Sequence, residues 1–381
     1  MIAVFGISLA TLAYIYAGYP VCVWLLARLF GRPPARRENL PTVSLLIPAY
    51  NEEAYLDAKL RNSLGLDYPA EQLEIVVASD GSTDATDTIA QGYAARKVRL
   101  IRMPENLGKS AMLARVVPLL QGEIVVFSDT SSELERDALR RLLPNFADPA
   151  VGCVSGLYRL KGVGDLRSEG EGLYWRYETF IKRQESRLHS ILGAHGAFYA
   201  IRRGLFPALR SGAINDDYLI AMRIVEQGFR AVYEPSAVAW ELETASVAGE
   251  FARRRRIAAG NCQQIIELRG LLNPLRGWIA FCFFSHKVLR TLAPWFMVAL
   301  LIASGWLPQP LAAWAWAGQV LLYGSAVAGF FCQRAGRSVR WLSAPLYFCL
   351  GNLAMLAGSW RFCRQGGAPA WERSRVASKI L

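Results

Sequence analysis

Residues 43–53 read Val-Ser-Leu-Leu-Ile-Pro-Ala-Tyr-Asn-Glu-Glu, and they decide the fold class. The first five residues are a short aliphatic run, which is typical of a buried strand. Polar residues follow at once, and an amphipathic stretch begins at Glu52, so we expect the strand to lead directly into a helix. A strand, a polar turn and a helix in this order are the beginning of an α/β unit with a parallel sheet.

The same alternation continues to residue 146 and predicts a sheet with right-handed crossovers. The predicted strands cover residues 43–47, 74–79, 98–102 and 123–128. The predicted helices cover residues 52–64, 84–94, 109–120 and 134–146. In such a sheet, ligands bind outside the carboxyl ends of the strands. The residues that directly follow the strands are therefore the first candidates for a functional site.

Carboxylates follow three of these strands. The first strand leads into Asn51-Glu52-Glu53, the second into Asp80-Gly81-Ser82-Thr83-Asp84, and the fourth into Asp129-Thr130-Ser131-Ser132. One such motif is weak evidence, because Asp-Gly-Ser is also a common turn and helix cap. Carboxylates at three strand ends of one sheet share an edge, which capping alone does not explain. The pattern favours a binding site at that edge.

With these motifs the chain resembles the membrane-bound, inverting family 2 glycosyltransferases. The resemblance rests on residues 43–53, on Ser79-Asp80-Gly81-Ser82-Thr83-Asp84, and on the turn Asn106-Leu107-Gly108-Lys109-Ser110. It is strongest to bacterial exopolysaccharide enzymes and more distant to the hyaluronan, chitin and cellulose synthases. It implies an α/β fold of the GT-A (Rossmann-like) class, a mixed sheet with interfacial helices, flanked by N-terminal and C-terminal transmembrane helices.

The resemblance also implies a donor site. The residues that would hold the nucleoside follow the first two strands: Ala49, Tyr50, Glu52 and Asp80. Lys109 would lie near the diphosphate or its metal, and Asp129 would be the first acid of an Asp-x-Asp motif that binds Mg²⁺ or Mn²⁺. Ser131 occupies the second position, where the family usually has a carboxylate. Since a hydroxyl is a poorer ligand for these hard cations, we expect a weaker metal site.

The second half of the site is expected from residues 193–202 and 214–223. Gly193, His195 and Gly196 form a glycine-rich turn into a strand, where the backbone can approach a sugar. Asn215-Asp216-Asp217 stands where the family has Thr-Glu-Asp, so the resemblance implies Asp217 as general base with Asp216 beside it. The alternatives are a structural role for His195 and helix capping for the two aspartates.

A basic run and the C-terminal tail contain the remaining candidates. Arg253 and Arg256 align with the family's Gln-x-x-Arg-Trp and are one helical turn apart, so they can hold a diphosphate together. Arg253 replaces the Gln and Ile257 replaces the Trp, which leaves processivity in doubt. The alternative for this run is a basic helix on anionic lipid. Trp371 and Arg375 are similar to a C-terminal family motif that closes over the donor.

The net charge of +12 is distributed unevenly along the chain. Residues 38–270 have 28 basic and 30 acidic residues, whereas the flanks have 15 basic residues and the single acid Glu372. A nucleic-acid-binding protein would concentrate this excess on its folded domain, so we expect no nucleic-acid partner. The excess lies beside uncharged apolar segments, which is typical of membrane orientation and places the central domain in the cytoplasm.

The uncharged segments predict a retained N-terminal anchor and C-terminal spans. Three crossings after the central domain would export a basic tail. Either the last segment is re-entrant or Trp278–Ser285 contributes an additional crossing. The predicted organisation has five parts: an anchor with its basic flank at 1–37, a cytoplasmic domain at 38–270, an interfacial helix at 271–290, membrane segments at 291–362 and a basic cytoplasmic tail at 363–381.

The sequence thus predicts a hexosyltransferase of the bacterial inner membrane. It would use a UDP-sugar with Mg²⁺ or Mn²⁺ to extend a lipid-linked or polysaccharide acceptor, in contact with membrane lipids and possible polysaccharide-assembly proteins. Two alternatives stay open: a single transfer to a polyprenyl phosphate, and a non-catalytic nucleotide-binding regulator. The seven cysteines contain no Cys-x-x-Cys pair and favour buried thiols over a metal or disulfide framework.

Overall fold

The computed structural model describes residues 1–161, 167–210, 212–242, 247–335, 337 and 339–364. Its contacts divide the chain into two units. One unit, the sheet unit, comprises Ala27–Lys161 and Lys182–Glu243. The other, the apolar-helix unit, comprises Met1–Leu26, Gly162–Ile181 and Thr244–Leu381. The helix Val247–Glu267 belongs to the apolar-helix unit, and the five-part organisation expected from the sequence stays a prediction.

The sheet unit is built on one mixed sheet of eight strands in the order β3-β2-β1-β4-β7-β6-β8-β5. The strands are β1 Val43–Ala49, β2 Leu73–Ser79, β3 Val98–Arg102, β4 Ile124–Phe127, β5 Ser132–Leu134, β6 Val151–Lys161, β7 Tyr199–Arg202 and β8 Arg230–Leu242. Strands β1 to β4 are parallel, and β7 then runs antiparallel to both β4 and β6. The predicted α/β sheet is confirmed.

The first four strands lie within two residues of their predicted bounds because their aliphatic runs are buried. Leu45, Leu46 and Ile47 are completely buried in β1. Ala49 pairs with Ser79, so β1 and β2 end side by side, and the polar residues after them lie at one edge of the sheet. Phe127 pairs with Tyr199 in the antiparallel β7, which brings the turn before β7 to the same edge.

Helices cover this sheet, and two of them differ from the sequence prediction. The helices of the sheet unit are Glu53–Leu64, Thr86–Gly92, Lys109–Val116, Ala138–Leu142 and Asp216–Glu226. The predicted helix at 109–120 ends at Val116 and continues as a short 3₁₀ turn that contains Pro118. The prediction of a helix from residue 134 was wrong, since Ser132–Leu134 pairs with β8 as an edge strand.

The described residues include four helices that are long and apolar enough to cross a membrane, and they lie in the apolar-helix unit except for the last four residues of the first: Ile2–Phe30, Trp278–Ser304, Leu311–Arg334 and Trp341–Arg364. Large apolar side chains on them are exposed, for example Trp314 at 74% and Trp341 at 87%. Residues 278–290, which were expected in a separate interfacial helix, are continuous with the helix that ends at Ser304. Residues 278–285 therefore belong to the same candidate span as the residues up to Ser304.

Buried polar contacts join the helices within this unit. The Tyr16 hydroxyl donates to Asn352 Oδ1 at 3.0 Å. Arg290 forms an ion pair with Glu178, and its guanidinium lies over the Tyr177 ring at 5.7 Å. Nearby, the Arg254 guanidinium lies over the Tyr174 ring at 5.9 Å. Arg290 is thus paired with an acid and covered by an aromatic ring, and Arg254 is covered by an aromatic ring.

Candidate active site

The loops after β1 and β2 are bound to each other. Asn51 has a left-handed backbone conformation with a φ of 53°, and its Oδ1 accepts a hydrogen bond from the Thr83 amide at 2.7 Å. The Asn51 amide in turn donates to Ser82 Oγ at 3.1 Å. Gly81 has a φ of +68°, and a Cβ there would lie 2.5 Å from the Glu105 carbonyl carbon. The Asp-Gly-Ser motif therefore needs its glycine for both conformation and space.

Asp80 anchors the turn that precedes Lys109. Its two carboxylate oxygens accept hydrogen bonds from the amides of Leu107 and Gly108, each at 2.9 Å, and the residue is only 3% exposed. The Asp80 amide donates to the Ala49 carbonyl at 2.9 Å. Asp80 thus joins the ends of β1 and β2 through its amide, and it joins the motifs after β2 and β3 through its carboxylate. A nucleoside contact by Asp80 or by its neighbours Ala49, Tyr50 and Glu52 stays a prediction.

Lys109 lies among the acids that the sequence singled out. Its Nζ lies 3.0 Å from Asp129 Oδ1 and 3.6 Å from Asp216 Oδ2. Burial by itself would lower the pKa of Lys109, but the charges of Asp129, Asp216 and Asp217 outweigh it and raise the pKa above its usual value. Lys109 is therefore a permanent cation at the centre of an acidic cluster.

Asp217 and Asp129 meet at Gly196. The Gly196 amide donates to Asp217 Oδ2 at 2.7 Å. A Cβ on Gly196 would lie 3.2 Å from Asp217 Oδ2 and 3.4 Å from Asp129 Oδ2. Only glycine leaves these distances unchanged, so the predicted glycine-rich turn lies directly against both carboxylates.

The Asp217 carboxyl has a pKa raised to about 6. Burial is the largest cause, and the negative charge of Asp216 adds to it, whereas Lys109 and the Tyr218 amide act in the opposite direction. Asp216 itself is 8% exposed, and its Oδ2, which lies 3.6 Å from Lys109 Nζ, is buried without a hydrogen-bond partner among the described residues. A carboxylate with a pKa near 6 is mostly ionised at neutral pH and can still accept a proton, as a general base must.

His195 is fixed beside the same turn. Its ring stacks on Tyr158 with the ring centroids 4.1 Å apart, and its Nδ1 accepts a hydrogen bond from the Ala197 amide at 3.3 Å. A neutral imidazole that accepts through Nδ1 has its proton on Nε2. Gly193 has a φ of +89°, and a Cβ there would overlap the Tyr218 ring.

Lys59 is a site residue that the sequence reasoning missed. It is 2% exposed, and its Nζ donates to Ser128 Oγ at 2.6 Å and to the Ser132 carbonyl at 2.7 Å. Burial lowers its pKa to about 7, against the opposing charges of Asp129 and Glu133. A signal was present in the sequence, because Lys59 lies on the buried stripe of its helix with Leu56, Leu60 and Ser63.

Asn62 holds the same segment one turn further along this helix. Its side chain donates to the Leu134 carbonyl at 2.8 Å and accepts from the Leu134 amide at 2.9 Å. Lys59 and Asn62 together fix the chain on both sides of Asp129 and Ser131. The Ser131 hydroxyl itself donates to Glu241 Oε1 at 2.7 Å, a contact that the sequence did not predict.

Four candidates remain: Arg253, Arg256, Trp371 and Arg375. Arg253 and Arg256 lie one turn apart on the helix Val247–Glu267 of the apolar-helix unit. Trp371 and Arg375 lie outside the described residues. Their expected roles at the donor stay predictions.

Comparison with known proteins identifies the family. The family model described as "Glycosyltransferase like family 2" matches residues 41–260, which is more than half of the chain. The chain belongs to this family. Its matched segment contains the cluster of Lys109, Asp129, Asp216 and Asp217.

Two curated relatives are similar over this segment. A probable glycosyltransferase, YdaM of Bacillus subtilis (strain 168), is 28% identical over 247 residues, which cover 60% of this chain and 58% of that protein. The poly-beta-1,6-N-acetyl-D-glucosamine synthase of Staphylococcus aureus (strain COL) is 24% identical over 241 residues, which cover 62% and 58%. The chain thus spans less than two thirds of the length of these relatives.

One solved structure is similar over nearly the whole chain. It is the mannosyltransferase PcManGT from Pyrobaculum calidifontis in complex with GDP-Man and Mn²⁺, with a TM-score of 0.69 and 25% sequence identity. The match covers 94% of this chain and 99% of that one. The family 2 protein described here has the predicted GT-A fold, with four apolar helices that qualify as membrane spans among its described residues.

The oxygen atoms at the carboxyl ends of the strands can supply part of the coordination shell of a divalent metal. Among the described residues, no group of three or more His, Cys, Asp or Glu side chains has the geometry to hold a metal ion. Mg²⁺ commonly binds through one or two carboxylates and completes its shell with water and substrate phosphates. Asp129 offers such a carboxylate beside Lys109, and the chemistry of these oxygen donors fits Mg²⁺ or Mn²⁺.

Proposed function

We propose that the protein is an inverting glycosyltransferase that transfers a sugar from a UDP-sugar to a hydroxyl of a lipid-linked or polysaccharide acceptor. The observation that supports it most is the convergence of Asp217 and Asp129 on Gly196, with Lys109 between the acids. This arrangement combines a proton acceptor with groups suited to a diphosphate. Membership of family 2 and the similarity to a polysaccharide synthase support the same reaction class.

In the proposed reaction the acceptor hydroxyl attacks the anomeric carbon on the face opposite the nucleotide. A new carbon–oxygen bond forms, the bond from the anomeric carbon to the diphosphate breaks, and UDP leaves with the electron pair. Asp217 takes the proton of the attacking hydroxyl, for which its pKa of about 6 suits it at neutral pH. Lys109 neutralises part of the diphosphate charge, since it stays protonated throughout.

A divalent metal held by Asp129, when bound, would supply positive charge against the diphosphate of the leaving group. Asp80 positions the turn that presents Lys109, and Lys59 and Asn62 position the segment that contains Asp129. Arg253, Arg256, Trp371 and Arg375 are proposed as further donor contacts on the strength of the family resemblance.

The proposed location is the inner membrane of a bacterium with the sheet unit in the cytoplasm. It is supported by the four apolar helices among the described residues and by the basic residues that flank them. This location gives the enzyme access to cytoplasmic nucleotide sugars and to a lipid-linked acceptor at the same surface.

A screen for UDP release tests the proposal. Purified full-length protein in detergent is offered a panel of UDP-sugars with membrane lipid extract, with and without Mg²⁺ or Mn²⁺, and product length is measured. We expect metal-stimulated UDP release with at least one donor. A single-sugar lipid product would favour the polyprenyl-phosphate alternative, and absence of turnover with bound UDP would favour a regulator.

A GDP-sugar is the second candidate donor. The observation that favours it is the similarity to the mannosyltransferase that binds GDP-Man, which extends over nearly the whole chain. GDP-mannose is therefore included in the panel. Turnover with GDP-mannose and none with any UDP-sugar would replace the proposed nucleotide.

A further inference from the structure

The Asp-x-Asp motif lacks its second acid, and the fold places another carboxylate within hydrogen-bond distance of the residue at that position. Ser131 stands where the second carboxylate is expected, and its hydroxyl donates to Glu241 Oε1 at 2.7 Å. The two residues are 110 positions apart in the chain. They meet because β5 pairs antiparallel with β8, with Ser132 directly opposite Glu241.

The strand pair has other contacts that secure it. Backbone pairing joins three residues of β5 to β8, and the adjacent Trp240 donates from its indole nitrogen to Glu135 Oε1 at 3.1 Å. Since successive side chains of a strand point to opposite faces, the side chains of Trp240 and Glu241 lie on opposite faces of β8. The contact of Ser131 with Glu241 therefore orients a carboxylate at the loop that contains Asp129.

Glu241 has the carboxylate that Ser131 lacks. A carboxylate has two oxygens, so Glu241 can accept from Ser131 through Oε1 and offer Oε2 to a cation. Glutamate also has one more methylene than aspartate, which gives it the reach to act from the neighbouring strand. Glu241 is half-buried, as a ligand that faces a substrate cleft has to be.

Charge balance at this edge favours a bound cation. Lys109 forms ion pairs with Asp129 and Asp216 and is influenced by the charge of Asp217, and Lys59 lies beneath the same loop. Glu241 adds a fourth carboxylate within reach of Ser131. Such an excess of acids attracts a divalent cation, and a cation with the diphosphate of the donor would restore the balance.

We propose that Glu241 supplies the carboxylate that the motif lacks at Ser131, and that it binds the donor's Mg²⁺ or Mn²⁺ directly or through a coordinated water. Ser131 is then a positioning residue for Glu241. The proposal rests on the proposed function, since it assumes a metal-bound nucleoside diphosphate at Asp129. It explains how a chain with an incomplete motif keeps two carboxylates at the metal.

The test measures Mn²⁺ binding directly. Full-length protein in detergent with saturating UDP is titrated with Mn²⁺, and free Mn²⁺ is followed by electron paramagnetic resonance. We expect Glu241→Gln to weaken Mn²⁺ binding about tenfold or more, as loss of a ligand or its outer-shell partner does. The matched control is Glu123→Gln, because Glu123 is a 61% exposed side chain just before β4, at the other end of the strand from Asp129.

A compensating variant keeps the test decisive if Glu241→Gln folds poorly. In the double variant Ser131→Asp/Glu241→Gln an acid returns to the usual position, so we expect Mn²⁺ affinity to recover towards that of the wild type. Unchanged affinity in Glu241→Gln would overturn the proposal, as would a double variant that binds no better than Glu241→Gln.

The outcomes also separate this inference from the proposed function. Loss of Mn²⁺ binding in Asp129→Asn with normal binding in Glu241→Gln would reject the role of Glu241 and leave the proposed function in place. A wild-type protein that binds neither UDP nor Mn²⁺ would reject the proposed function, and the role of Glu241 with it.

Discussion

Both units of the molecule contain buried charged groups, but the surroundings of these charges differ between the units. In the apolar-helix unit, Arg290 is paired with Glu178 and lies over the Tyr177 ring. In the sheet unit, three aspartates crowd around Lys109, and the pKa of Asp217 is raised to about 6. Paired charges hold a structure together, whereas a carboxylate with a displaced pKa is available for proton transfer. The comparison separates charges that are paired within the fold from a carboxylate that we propose for proton transfer.

The largest expected effect comes from removing the reactive charge. Asp217→Asn is expected to lower the rate of sugar transfer by about 10²–10⁴-fold, because the amide cannot take the acceptor's proton. Binding of the nucleotide should be nearly unchanged. Initial rates of UDP release and calorimetric UDP binding measure the two effects, with Glu226→Gln at the other end of the same helix as the control.

The pH profile sharpens the assignment. A base with a pKa of about 6 is ionised above that pH and protonated below it, so kcat/KM should rise with pH through about 6 and then level off. The same limb should be absent from the residual activity of Asp217→Asn. A variant that keeps wild-type rates, or the same limb, would remove Asp217 from the role of base.

Removing one of the paired charges should lower stability and leave nucleotide binding intact. Glu178→Gln leaves the Arg290 charge buried without its acid, which costs about 3–5 kcal/mol of stability. We expect a lower midpoint of thermal unfolding in detergent, with UDP affinity of the folded protein retained. Arg61→Gln is the control, since Arg61 is 72% exposed in its ion pair with Asp57 and such pairs contribute little. A wild-type midpoint in Glu178→Gln would contradict the structural role.

Lys59 is a buried charge of the sheet unit that is expected to affect both stability and metal binding. Its ammonium group donates to Ser128 Oγ and to the Ser132 carbonyl, on either side of Asp129. Lys59→Met keeps much of the volume but leaves Ser128 Oγ and the Ser132 carbonyl without their donor, at a cost of about 1–3 kcal/mol. We expect a lower midpoint of thermal unfolding together with weaker Mn²⁺ binding, since the Asp129 segment loses its support. A change in stability alone would assign Lys59 to the core and not to the site.

The smallest effect is expected at the glycine between the two carboxylates. Gly196→Ala introduces a Cβ at 3.2 Å from Asp217 Oδ2, so this acid must move by a few tenths of an ångström, and the Cβ would be in van der Waals contact with Asp129 Oδ2 at 3.4 Å. We expect a loss of activity of roughly threefold to tenfold with no change in thermal midpoint, since such small misplacements reduce rates more than stability. Gly204→Ala, whose Cβ would meet nothing within 4 Å, should leave both unchanged.

Local pattern was sufficient to predict the parallel half of the sheet. Strands β1 and β4 are short and largely aliphatic, and burial on both faces leaves such a run few alternatives. The edge strand β3 is partly exposed and alternates apolar residues with arginines. The antiparallel half was harder to predict. The edge strand Ser132–Leu134 has only three residues and pairs with a partner more than 100 positions later, so no periodicity marks it.

The candidate site divides in the same way. Asp80, Lys109, Asp129 and Asp217 lie in motifs that a sequence displays as contiguous letters, and the structure brings the last three of them together. Lys59 and Glu241 were missed because each reaches the site through a packing partner, Lys59 from a buried helix face and Glu241 from a neighbouring strand. The pattern of neighbouring residues in the sequence does not reveal such contacts.

The sequence by itself determined the α/β order, the apolar segments and the acids at the strand ends, because each depends on residues adjacent in the chain. Only the tertiary structure decided that Asp80 anchors the Lys109 turn, that Gly196 separates two carboxylates, and that Glu241 meets Ser131. Those contacts depend on strand register, and register is set by burial and hydrogen bonding across the whole sheet.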